Sequence, residues 1–75
     1  MNKTELLKRF GKNIKIERIR HDLTQEQCAE ILGVSINYFT CIENGRQNMS
    51  LGKILELTQK LKFKLSAVLN FEDND

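Results

Sequence analysis

The sequence predicts an all-α fold, a compact bundle of five helices. Three observations predict it. Leu, Ile, Lys and Glu are plentiful and Val is scarce, a balance that favours helix over strand. Proline is absent and glycine occurs only four times, so little interrupts a helix. Apolar residues recur three and four positions apart in successive segments. At 75 residues the chain makes one domain at most, with a small core and modest stability. That domain is expected over residues 1–71, followed by an acidic tail over 72–75.

The first helix is expected from about Thr4 to His21. Leu7, Phe10, Gly11 and Ile14 form its buried stripe, and Ile16 and Ile19 are expected to widen it. The stripe continues to Arg18, a cation that needs a partner if it turns inward. His21 ends the helix, where a protonated imidazole suits the dipole.

The second helix starts at Thr24, which forms a T-x-x-Q capping box with Gln27. Leu23 and Cys28 stand at the hydrophobic-staple positions around that cap. Cys28, Ala29 and Leu32 face inward, and Gly33 ends the helix in the left-handed region. The third helix is capped by Ser35, stapled by Val34 and Phe39, anchored by Phe39 and Ile42, and closed by Gly45. Its outer face carries Ile36, Asn37, Thr40, Cys41 and Asn44. This pair of helices spans 24–45. A short polar helix held at a fixed angle by a partner is the geometry that enters a DNA major groove.

Residues 46–49 are a polar loop. Ser50 caps a fourth helix to about Lys62, with Leu51, Ile54, Leu55, Thr58 and Leu61 expected on its buried face. A fifth helix is expected from about Leu65 to Asn70. Its Leu65, Val68 and Leu69, with Phe71, offer more apolar surface than so short a helix usually hides in its own subunit.

Charge narrows the function. The chain carries a formal +2, and leaving Glu72, Asp73 and Asp75 out of the count leaves the remainder at +5. The first helix holds Lys3, Lys8, Arg9, Lys12, Lys15, Arg18 and Arg20, a cluster suited either to phosphate attraction or to simple solvation. Cys28 and Cys41 are isolated and His21 is the one histidine, so no zinc set exists and free thiols in a reducing cytoplasm are expected. Neither a membrane span nor a signal segment is expected. Paired carboxylates, an activated nucleophile and a Gly-rich phosphate loop are missing too, so neither an enzyme nor a cofactor is expected.

The pattern LTQEQCAEILGVS, then IENG, a polar loop and SLGKILELTQKL resembles the Cro/C1-type (XRE-like) helix-turn-helix family, from about Phe10 to Leu69. Leu23-Thr24-Gln25, Ala29, Gly33-Val34-Ser35 and Ile42-Glu43-Asn44-Gly45 carry the likeness. Within that family, NYFTCIENGRQNMS is similar to controller proteins of restriction–modification systems, through Tyr38 and Asn48.

The resemblance implies a five-helix domain of the lambda-repressor type that binds a two-fold-symmetric double-stranded DNA operator as a homodimer. It puts Ile36, Asn37, Tyr38, Thr40 and Cys41 at base-facing positions. Asn37 suits a bidentate contact to adenine, and Ile36 suits a thymine methyl. Cys41 fits packing as well as reading, and Tyr38 fits a half-buried edge as well as a contact. Gln25 is implied beside a phosphate, steadying the reading helix. Asn44, Arg46, Gln47 and Asn48 are implied along the backbone, with Arg46 the strongest by charge. Arg18 and Glu43 are implied as a structural ion pair, and Leu65, Val68, Leu69 and Phe71 as the dimer contact. Regulation of promoters is the expected role, with RNA polymerase as a further partner where the protein activates. A controller of its own and an endonuclease promoter, and an antitoxin, remain open alternatives. With one domain read, no small-molecule ligand is expected.

Overall fold

The structure, a computed structural model, describes residues 1–72. Its elements are α1 (Lys3–Arg20), α2 (Gln25–Leu32), α3 (Ile36–Glu43), α4 (Leu51–Leu61) and α5 (Leu65–Val68), with no strand among the described residues. The expected acidic tail begins at Glu72; residues 73–75 lie outside the described residues.

Four of the five helices start on a side-chain cap. The Asn2 carboxamide accepts from Glu5 N–H, so α1 begins just before the expected Thr4. At α2 both halves of the capping box form: Gln27 N–H donates to Thr24 Oγ1 at 3.0 Å, and Thr24 N–H donates to Gln27 Oε1 at 2.8 Å. Ser35 and Ser50 accept from Tyr38 and Lys53 N–H in the same way. Each such cap contributes about 1 kcal/mol. Gly33 and Gly45 end α2 and α3 at positive φ. After α3, Gly45 N–H donates to the Ile42 carbonyl and Arg46 N–H to that of Cys41, the Schellman pairing that fixes where the next loop leaves.

The core is Phe10, Ile14, Cys28, Ala29, Phe39, Ile42, Ile54, Leu57, Leu61, Phe63 and Val68. Helix α3 packs on α1 and α2, α4 packs on α2, and α5 closes against α1 and α4. The α1–α3 crossing is very close. A Cβ built on Gly11 would lie 2.4 Å from the Glu43 carbonyl oxygen and 2.5 Å from that of Ile42. One built on Gly45 would lie 2.8 Å from the Lys8 Cα. Two glycines let the end of α3 rest directly on the α1 backbone.

Several expectations change. Ile16 and Ile19 do not widen the α1 stripe; they are 39% and 55% exposed. At about 100° per residue they point well away from Ile14. Glu17 occupies the flank instead, buried, with Arg20 Nη1 3.1 Å from its Oε2. On α4 the buried line is Ile54, Leu57, Thr58 and Leu61, whereas Leu51 (76%) and Leu55 (44%) are exposed. Leu57 completes the i, i+3, i+4, i+7 series that Leu55 does not. Thr58 satisfies its buried hydroxyl on the Leu55 carbonyl.

Helix α4 stops at Leu61, where Lys62 takes a left-handed φ of 60°. That turn sends Phe63 into the core beside the His21 ring, 4.9 Å away between centroids. Helix α5 ends at Val68 rather than Asn70. Asn13 Nδ2 donates to the carbonyls of Val68 and Asn70, each at 3.1 Å, so an α1 side chain holds the segment that leaves the helix. Val68 is fully enclosed by its own chain, which takes it out of the expected dimer contact and into the core.

Candidate nucleic-acid interface

The residues of α3 and its C-cap Asn44 divide by face. Phe39, Ile42 and Glu43 are buried, while Asn37, Thr40, Cys41 and Asn44 share the opposite face at i, i+3, i+4 and i+7. Asn37 and Asn44 are exposed; Thr40 and Cys41 are half-buried at the base of the face. Ile36 lies at one edge, 48% exposed. Tyr38 lies at the other edge, its ring packed against the core next to Leu32, Val34 and Met49. The outward face thus offers amides, a hydroxyl and a thiol, with an isoleucine at its N-terminal rim.

A buried carboxylate holds this helix in place. Glu43 Oε2 accepts from Arg18 Nε at 2.6 Å, and its Oε1 accepts from Arg18 Nη2 at 3.3 Å and from Gln25 Nε2 at 2.9 Å. Arg18 Nη1 also donates to the Leu23 carbonyl at 2.9 Å. The fork ties the end of α1, the turn into α2, the first residue of α2 and the last of α3. With both partners enclosed and both carboxylate oxygens accepting, the pair meets the condition for a buried charge to persist.

The fork also sets the orientation of Gln25. One N–H of its carboxamide goes to Glu43, which turns the amide nitrogen toward the α3 side. The capping box occupies Thr24 and Gln27 N–H, leaving the Gln25 and Glu26 N–H groups at the N-terminus of α2, where the helix dipole favours an anion.

After α3, Arg46 and Asn48 are exposed, and Gln47 is half-buried with its amide 3.4 Å from the Asn48 carbonyl. All of these residues follow Gly45, the residue at which the end of α3 meets α1. Sequence reasoning did not identify the close contacts of Gly11 and Gly45 or the Gln25–Glu43 bond. A glycine inside a helix costs about 1 kcal/mol relative to alanine, and that cost is the one local sign of a close approach at Gly11.

Cys28 lies beneath the fork. Burial pushes its thiol from 9.0 up to about 11, against a lowering by Arg18 and with a smaller rise from Glu43. Cys41 is the more accessible thiol. No helix among the described residues is long and apolar enough to cross a membrane.

The profile of a family described as a helix-turn-helix domain matches residues 9–68. Among curated proteins, the control protein C.MunI of a Mycoplasma species is 32% identical, with 83% of this chain and 85% of that protein covered. The uncharacterized HTH-type transcriptional regulator MJ0272 of Methanocaldococcus jannaschii is also 32% identical, over 83% of this chain and 94% of the relative. The antitoxin PezA of Streptococcus pneumoniae is 46% identical over 51 residues, but this chain spans 32% of its length. Among solved structures, the restriction–modification controller protein C.AhdI of Aeromonas hydrophila superposes with a TM-score of 0.74 at 31% identity, covering 83% of this chain and 94% of its own. A hypothetical transcription factor from Neisseria, NHTF, shares the fold with a TM-score of 0.78 at 21% identity, covering 93% and 80%. A match across most of the chain and two relatives aligned over most of both lengths show that this chain belongs to the helix-turn-helix family, as a DNA-binding regulator.

Proposed function

We propose that the protein binds a two-fold-symmetric operator as a homodimer, with α3 of each subunit in the major groove, and regulates transcription there. The observation that carries this reading is the outward face of α3, a polar surface on a helix whose buried end is clamped by Arg18, Glu43 and Gln25. Asn37 and Thr40 read base edges and Ile36 touches a thymine methyl. Cys41 and Tyr38 line the margins of that contact. Gln25, Asn44, Arg46, Gln47 and Asn48 hold the phosphate backbone and set the register.

Dimerisation is supported by apolar surface the subunit does not cover. Leu65 is 40% exposed, and Leu69 and Phe71 are half-buried. Leu69 and Phe71 also line an apolar hollow of about 190 Å³ with Leu6, Phe10, Leu51 and Ile54. The contact therefore draws on α4 and the segment after α5, not on α5 alone. A dimer sets half-sites about one helical turn apart.

Likeness to C.MunI and C.AhdI over most of both chains favours a controller role, acting on its own promoter and that of a neighbouring endonuclease, with RNA polymerase as a contact where it activates. The antitoxin likeness covers only a third of PezA, so an antitoxin role is the weaker reading. In each case the protein acts in the cytoplasm and carries out no catalysis. Salt-titrated binding to the DNA upstream of its own coding region tests the proposal, together with sedimentation of the free protein. No preference over random duplex, or a flat response to salt, overturns it.

A further inference from the structure

We propose that Lys8, Lys12 and Lys15 form a second phosphate-binding line on α1, continuous with Arg46, that extends the DNA footprint beyond the groove entered by α3. The inference rests on the DNA-binding reading above and adds a surface to it.

The bases of α1 divide by side. Arg9 lies 3.4 Å from Glu5, Arg20 lies 3.1 Å from Glu17, and Arg18 is committed to Glu43. Lys8, Lys12 and Lys15 are exposed, and none has an ion-pair partner among the described residues. At 100° per residue these three fall within an arc of about 60°, a single stripe along the helix. The paired side is occupied differently: Arg9 Nη1 donates to the Glu72 carbonyl and Asn13 to those of Val68 and Asn70, so the C-terminal segment lies over it.

The unpaired side adjoins the reading helix. Gly11, between Lys8 and Lys12, receives the Ile42 and Glu43 carbonyls, and the Lys8 backbone meets Gly45. Arg46 follows directly. Three uncompensated ammonium groups therefore border the point where α3 gives way to the loop proposed for the phosphate backbone. Lys8 to Lys15 spans about 10 Å along the helix. That is roughly the axial length of three nucleotides of one strand. Uncompensated charge here costs folding little, because the groups are solvated, and it becomes attraction once a polyanion replaces the water.

The test uses a short random-sequence duplex, so that no operator has to be known. The logarithm of affinity is measured against the logarithm of salt for wild type, for the triple variant Lys8→Gln/Lys12→Gln/Lys15→Gln, and for Lys62→Gln/Lys64→Gln, an exposed pair in the turn between α4 and α5, as a charge control off the α1 lysine stripe. The triple variant is expected to lose about 2–3 from the magnitude of the salt slope. The control is expected to keep a slope close to wild type. Any preference for the protein's own upstream DNA over random duplex should survive in the triple variant, because phosphate contacts carry no sequence information. If the triple variant melts early, Lys12→Gln alone is read instead, with an expected slope loss of about one. An unchanged slope in a folded lysine variant, while Arg46→Gln lowers it, overturns the inference and leaves the DNA-binding reading standing. An equal loss in the Lys62/Lys64 control also overturns it, since net charge alone then explains the effect. Wild type without salt-dependent binding overturns both.

Discussion

Arg18 and Glu43, 25 positions apart in the chain, meet at 2.6 Å with side chains only 13% and 2% exposed. Their fork fixes the end of α3 to the end of α1, and its remaining capacity goes to the Leu23 carbonyl and the Gln25 amide. Removing either partner leaves a buried charge without compensation. Arg18→Ala and Glu43→Ala are each expected to lose roughly 3–5 kcal/mol in urea melts. Arg18→Met combined with Glu43→Leu should lose much less, because no lone charge remains. Unchanged melts in the single variants would refute the structural role assigned to the pair.

Glycine substitutions should have opposite signs at two helical sites. Gly11→Ala places a methyl against the Glu43 and Ile42 carbonyls, and backbone cannot swing aside as a side-chain tip can. Overpacking of about 1–3 kcal/mol or more should outweigh the gain in helix propensity. A methyl added at Gly52, inside α4, would meet nothing within 4 Å. Gly52→Ala should therefore stabilise by up to about 1 kcal/mol. Thermal melts of the two variants check both signs, and a stabilised Gly11→Ala would contradict the close α1–α3 approach.

Much of this was legible in the residues alone. The caps at Thr24, Ser35 and Ser50 and the turns at Gly33 and Gly45 are written in local chemistry, so α2, α3 and the face of α3 follow from the residues themselves. The Arg18–Glu43 pair was legible by a different route: an inward arginine demands a partner, and the family resemblance pointed to Glu43. What was not legible depends on neighbours. Leu51 and Leu55 are as apolar as Leu57, and the burial of Leu57 follows from the face that α4 turns to α2 and α5. Lys62 ends α4 in a left-handed turn usually marked by glycine, so nothing local announced the entry of Phe63 into the core. The short α5 depends on Asn13, 55 residues away, capturing the Val68 carbonyl.

The two thiols should differ in reactivity. Cys28 is enclosed and its pKa is raised to about 11, whereas Cys41 is partly accessible. A thiol reagent at a pH of about 8, just below the ordinary thiol range, is expected to modify Cys41 in the folded protein and Cys28 only after unfolding. Because the folded thiol holds its proton more tightly than the unfolded one, raising the pH through 9.0 favours the unfolded chain, and the loss continues to about pH 11. Stability should therefore fall more steeply over that range in wild type than in Cys28→Ala. Native-state labelling of Cys28 at a rate equal to Cys41 would contradict its burial.

Asn37 and Arg46 should separate base reading from backbone grip. Asn37 stands exposed on the polar face of α3, where a carboxamide can pair with both adenine N6 and N7. Arg46 stands exposed in the loop after α3, held by its own N–H on the Cys41 carbonyl. Asn37→Ala is expected to cost roughly 1–3 kcal/mol at one base pair of each half-site and to relax preference there, with the salt slope kept. Arg46→Gln is expected to weaken every sequence alike and to lower the slope by about one. Binding of both variants to a library of single-base operator substitutions at two salt concentrations distinguishes these effects. If Asn37→Ala lowered all sequences equally, the base contact would have to move to Thr40 or to the shape of the DNA, because Ile36 and Cys41 offer no strong hydrogen bonds in its place.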